Sequence, residues 1–297
     1  MPVMSVGVAM TLLVVGNLIA VFSDALVKTL GEDVAVFQFV FFRQITAVLI
    51  LLPFCLHRGR AGLMDGLKWH TLRAHVWLLG AVFMVVAINS MPLATANAIF
   101  YAAPLLMLPL AYLLYKEQLS RYSMLAGLVG FVGVLVIIRP TQIDWAAIAA
   151  LIVALTLAGN NLLIRKLPPY QSVPQTLLLT NAAGIPVSLC LALWEGERWD
   201  WNLLMTAAGS SAFILVYAGI CVATYRRVES NKIASAEYTG LLGAVGIGLI
   251  WFDEIPDMTM LAGTALIIVP LIWLARVEQQ KSRRLHASQT SVIENSP

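Results

Sequence analysis

The chain has 297 residues, 60% of them hydrophobic and 12% charged, with a mean hydropathy of +0.83. That charged fraction is about half that of a soluble domain and leaves too little polar surface to coat a water-exposed fold. A net charge of +3, with no basic stripe interleaved with aromatics, argues against nucleic acid as a partner.

Taken in chain order, ten apolar segments are predicted, at 7–29, 35–56, 75–92, 95–115, 122–139, 145–165, 173–194, 203–225, 233–252 and 258–276. Each is near the ~20 residues that a helix rising about 1.5 Å per residue needs to cross a hydrocarbon core of about 30 Å. Lipid offers the backbone no hydrogen-bond partner, so segments this long and evenly apolar are helices rather than barrel strands. The expected fold is an all-α integral membrane protein with ten transmembrane helices. The first run lacks a basic leader and a small-residue cleavage site and reads as a retained span. The tail, 279–297, is rich in Ser, Gln and Lys/Arg and reads as disordered. Cys55, Cys190 and Cys221 lie far apart within apolar runs, as packing residues rather than a disulfide or a metal set.

Basic residues set the expected orientation. With the N-terminus in the cytoplasm, Arg58, Arg60, Lys68, Arg73, Lys116, Arg121, Arg165, Lys166, Arg226, Arg227 and Lys232 fall in inner loops, and only Lys28, Arg139 and Arg198 fall outside. Both termini are then cytoplasmic.

The stretch 94–140 has a degraded copy at 233–276, in which the string MLAG at Met124 recurs at Met260. One ungapped offset aligns Asp24 with Asn161, Lys28 with Arg165, Gln38 with Gln175, Tyr101 with Tyr238 and Glu117 with Glu254. The expected organisation is a repeat at 1–139, a second at 140–278 and the tail. Five helices per repeat is an odd number, so the second repeat enters the membrane from the opposite side. The expected architecture is two inverted five-helix repeats.

The FFRQ opening of the second span, the segment PLATANAIFYAAPLLMLPLAYLLYKEQLS and the fifth span GLVGFVGVLVIIRP resemble the EamA-type branch of the drug/metabolite transporter superfamily. The resemblance implies a carrier of the bacterial inner membrane that moves a small metabolite by alternating access, with helices of both halves lining a central cavity.

Candidate site residues are polar groups at membrane depth, where a charge costs roughly 2.5 to 3.5 kcal/mol and persists only with a partner, water or a function. Asp24 and Arg43 sit at similar depth and are expected to pair, either as part of a gate or as an ion pair that fixes helix packing. Glu237, about one turn inside the ninth span, is a candidate proton carrier or partner for a cationic substrate; the alternative is a pair with Lys232. Glu117 and Glu254 sit at span ends and read as helix caps or loop partners. Asn89, Asn97 and Tyr101 fall in the outer half, while Asn160, Asn161, Asn181 and Tyr238 fall in the inner half. Two such clusters suit two alternating gates, against the plainer reading that they hydrogen-bond between helices. Asn17, mid-span, is the expected substrate contact by depth.

Trp69, Trp77, Trp145, Trp199 and Trp201 are read as an interfacial belt, and Gly127, Gly130 and Gly133 as a face for close helix packing. His57, His70 and His75 are placed in a loop, which argues against a histidine relay or an intramembrane metal. No Ser/His or His/Asp set lies within the spans, and no Walker A motif is present, so neither an enzyme nor an ATP-driven pump is expected. The expected function is a monomeric secondary transporter without cofactor, exporting an amino acid or another small amphipathic metabolite, with proton coupling as one option. Alternatives are a channel-like facilitator and an uptake carrier for a vitamin or nucleoside-like compound.

Overall fold

A computed structural model describes residues 4–56, 64–116, 121–138, 144–229, 233, 236–237, 239–270, 272–273 and 276. Described regular structure is helical throughout, as a chain in lipid requires of its backbone. The helices are α1 (Val6–Lys28), α2 (Val36–Leu56), α3 (Leu67–Ser90), α4 (Leu93–Phe100), α5 (Ala103–Tyr115), α6 (Arg121–Ile138), α7 (Trp145–Leu163), α8 (Val173–Glu195), α9 (Asn202–Tyr225), α10 (Thr239–Trp251) and α11 (Met258–Pro270). Among the described residues seven spans are long and apolar enough to cross a membrane, with α4 and α5 acting as one. Gly127–Ile138 within α6, α10 and α11 are shorter apolar helices.

Local sequence sets the ends. Ser5 caps α1, Asp144 caps α7 by accepting from the Ala147 N–H at 2.8 Å, and Ser172 with Gln175 forms a capping box on α8. Two other N-termini are capped from far away in sequence. The Glu195 carboxylate, at the end of α8, accepts from the Phe37 and Gln38 N–H groups at the start of α2, at 3.0 and 2.9 Å. The Glu254 carboxylate accepts from Leu93 N–H at the start of α4, at 2.6 Å. Both place negative charge where unpaired helix N–H groups collect.

Between α4 and α5 the helix breaks at Tyr101 and Ala102. Pro104 is the cause: it has no N–H to offer, and its ring crowds the carbonyl one turn earlier. Small residues bring helices together elsewhere. A Cβ on Gly133 of α6 would lie 2.6 Å from the Gly263 carbonyl oxygen of α11, so neither position admits a side chain. The expected glycine face on α6 is thus in use, with Gly130 meeting Leu105 of α5.

In the packing, α2 lies on α8, α1 on α9, α3 on α7, α2 on α9 and α3 on α8. Helix α10 contacts α1 and α4, while α7 contacts α4 and α5. Buried apolar side chains form two clusters. One, with Val27, Phe39, Ile88 and Leu93, lies towards the Lys28 end; the other, with Leu13, Leu51, Leu162 and Tyr225, lies towards the opposite end. Large apolar residues such as Leu49, Phe54, Leu128 and Ile250 are exposed on the outer surface, as lipid-facing positions would be. Polar side chains collect between the two clusters.

Candidate functional site: two neighbouring chambers

The first chamber, about 80 Å³, is lined by Asn17, Asp24, Arg43, Trp77, Asn97, Tyr101 and Asn160, among others, from α1, α2, α3, α4, the α4–α5 break and α7. Asn17 is near the middle of α1, and Tyr101 stands where Pro104 has broken the helix. Tyr101 also fits only because position 240 is glycine, since a Cβ there would overlap the Tyr101 hydroxyl.

Asp24 and Arg43 face this chamber and are electrostatic neighbours, with Asn97 beside Asp24. They do not touch. The ion pair within 4.0 Å among the described residues is Lys28 with Glu254, at 2.8 Å, so the direct pairing expected for Asp24 and Arg43 is absent. Room between their helices is taken up by the chamber itself. Arg43 is 7% exposed, and its Nη1 has no hydrogen-bond partner, which is costly for a buried guanidinium.

The asparagines behave alike for a local reason. Asn17, Asn89, Asn97, Asn160 and Asn181 each donate to the carbonyl one turn back, at 2.7, 2.9, 3.2, 3.1 and 2.9 Å. This satisfies the amide N–H within the helix and leaves the amide oxygen as an acceptor. Asn89 lines neither chamber. Asn160 shares the first chamber with Asn97 and Tyr101, so the expected inner and outer clusters are not separate sets.

Glu237 is 3% exposed and accepts from Asn161 Nδ2 at 3.1 Å and from the Tyr225 hydroxyl. Asn161 thus joins Glu237, as its inner placement anticipates. Tyr238 and Lys232 lie outside the described residues, as does Glu117. Glu254 combines the two roles expected of it, capping α4 and pairing with Lys28.

A second chamber, about 30 Å³, shares Arg43 and Trp77 with the first and is walled by Gln44, Arg73, Thr180, Asn181 and Ser211. Sequence reading missed this half of the site, because it placed Lys68, His70 and Arg73 in a loop. Helix α3 begins at Leu67, so all three are helical. His70 is fully buried, its Nδ1 3.3 Å from Thr180 Oγ1 and its Nε2 2.8 Å from Gln171 Oε1. Arg73 is 3% exposed and donates to Thr180 Oγ1 at 3.1 Å and to the Asn160 carbonyl at 3.4 Å. Arg226, just past α9, donates to the Gln171 carbonyl and to Thr176 Oγ1, both at 2.6 Å. Burial and the neighbouring Arg227 lower its pKa to about 10, so it stays charged near neutrality. Trp77 is a chamber wall and not part of the interfacial belt; Trp145, Trp199, Trp201 and Trp251 are exposed near the Lys28 end. The missed signal was the spacing of His70, Arg73 and Trp77, which repeats on one helix face. Counting charges hid it.

Apolar helices closed round an internal charged chamber define a multi-pass membrane protein. Residues 7–139 match the EamA-like transporter family, the family that the sequence resembles. The S-adenosylmethionine uptake transporter of Rickettsia prowazekii (strain Madrid E) is 24% identical over 273 residues, covering 90% of this chain and 92% of that protein. The pseudopaline exporter CntI of Pseudomonas aeruginosa (strain UCBPP-PA14) is 25% identical over 266 residues, covering 86% and 92%. An uncharacterized transporter of Helicobacter pylori (strain ATCC 700392 / 26695) is 27% identical over 286 residues, covering 88% and 92%. A solved crystal structure shares the fold, with a TM-score of 0.66 at 16% identity, over 92% of this chain and 98% of that one.

Proposed function

We propose that the protein is a secondary carrier of the bacterial inner membrane that moves a small zwitterionic metabolite, such as an amino acid or a derivative, by alternating access. The observation that carries this reading is the first chamber. Asp24 and Arg43 present opposite charges to one mid-depth space, separated instead of neutralised in contact, which is the arrangement that receives an ammonium and a carboxylate. Apolar clusters lie to either side, a geometry suited to a carrier with two gates rather than to a continuous polar pore.

The inverted-repeat reading has support in the packing. Exchanging α1 with α7, α2 with α8 and α3 with α9 turns the α1–α9 contact into α7–α3 and the α2–α9 contact into α8–α3, and maps α2–α8 onto itself. Counting the α4–α5 pair and the shorter helices as spans gives ten in two sets of five, with both termini cytoplasmic. Direction follows the gradients across such a carrier, not its architecture; relatives named for uptake and for export accord with that. We assign coupling to protons, with Asp24 and Glu237 as the exchanging groups.

The test is uptake of radiolabelled amino acids, vitamins and nucleosides into proteoliposomes with and without an imposed pH gradient. Saturable, gradient-dependent transport of a zwitterion that is lost in Asp24→Asn and Arg43→Gln supports the reading. Transport of uncharged solutes alone, or rates that rise linearly without saturation, would replace it with a facilitator.

A further inference from the structure

The second chamber holds a charge that the proposed zwitterion does not use. Arg73 is buried, and its hydrogen bonds go to a hydroxyl and a carbonyl, both neutral. Among the described residues its electrostatic neighbours are Cys221 and Arg226, with no Asp or Glu. Arg43 lies between the chambers, lines both and keeps Nη1 unpartnered. Among the described residues the two chambers therefore present one carboxylate, Asp24, and two guanidiniums. A buried charge without a counterion is strongly destabilising, so a site built this way is completed by its ligand.

We infer that the substrate carries one ammonium and two acidic groups: an aminodicarboxylate whose amine faces Asp24, whose first carboxylate lies on Arg43 and whose second lies on Arg73. Arg donates in a planar fork that matches a carboxylate, and the Gln44, Asn181 and Ser211 side chains add neutral polar groups to the same wall. Trp77, shared by both chambers, supplies an apolar face for the carbon chain joining the two acids. Chambers of about 30 and 80 Å³ have room for water but not for such a molecule, so binding requires the helices around them to separate.

This inference rests on the carrier reading, and the experiment separates the two. Purified wild-type protein and Arg73→Gln are titrated with L-glutamate, L-glutamine and glutarate, following thermal stabilisation, and the same compounds compete for transport in proteoliposomes. In the wild type, glutamate is expected to bind at least tenfold more tightly than glutamine or glutarate, the size of one charge-assisted contact. Arg73→Gln should erase the preference of glutamate over glutamine, read as the ratio of the two affinities within that variant, and Arg73→Lys should restore part of it. Equal competition by glutamate and glutamine in the wild type overturns the dianionic substrate and leaves the carrier standing, and it needs no variant to fold. Absence of binding and transport for all amine-bearing compounds overturns both.

Discussion

Glu237 shows how a single buried group sets both stability and chemistry. Its carboxylate is the acceptor for Asn161 and Tyr225, on two different helices, so removing it takes a buried acceptor away from both donors. Glu237→Ala is expected to cost about 1 to 3 kcal/mol, seen as a lower melting temperature in detergent. Glu237→Gln keeps an acceptor oxygen and should melt close to wild type while losing the response of transport to an imposed pH gradient. A variant that keeps that response shows that Glu237 carries no proton. At this scale the sequence was legible where a polar residue interrupts an apolar run, as at Asn17, Asp24, Arg43 and Glu237. It was illegible at His70 and Arg73, because a buried arginine near a span end contributes the same hydropathy as one in a loop. Only the partner set, here Thr180 and Gln171 from distant sequence, tells them apart.

Among the elements, the α4–α5 break and the Lys28 end act together. Lys28 Nζ reaches Glu254 at 2.8 Å and the carbonyls of Ile88 and Met91 at 3.2 and 2.8 Å, tying α1, the end of α3 and the chain after α10 into one junction. Lys28→Met leaves those acceptors without their cation and is expected to loosen this end by about 1.5 to 3 kcal/mol, the worth of hydrogen bonds to a charged group. Hydrogen exchange should accelerate at Leu93–Phe100, and not in α8, as the check. Gly240→Ala forces a methyl group against Tyr101 and Asn17 and should depress transport and melting temperature together, whereas Gly246→Ala, where open space surrounds the Cβ position, should change neither. The lengths of α1, α2, α8 and α9 were readable from hydropathy to within a residue or two. The split of the fourth span was not, since a proline within an apolar run shifts no hydropathy average even though it breaks the ladder of hydrogen bonds.

At the scale of the whole molecule, the proposed duplication rests on packing more than on sequence. The halves align at scattered positions, yet helix neighbours correspond when the halves are exchanged, because contacts constrain shape and volume while tolerating residue change. Orientation belongs to this scale too. Single cysteines placed at Glu197 and at Lys166, in a background lacking Cys55, Cys190 and Cys221, should react differently with an impermeant thiol reagent added to intact cells. Glu197 is expected to be labelled and Lys166 protected; the reverse would invert the topology. The short helix α4, eight residues or about 12 Å long, has its first N–H held by Glu254 and ends beside Tyr101 in the first chamber. It is a short rod with one end in the Lys28 junction and the other against the first chamber, joined to α5 through the turn at Tyr101 and Ala102. In the proposed carrier, a solute that fills that space bears on one end of the rod while the Lys28 junction holds the other, so loading and unlocking are two ends of one lever.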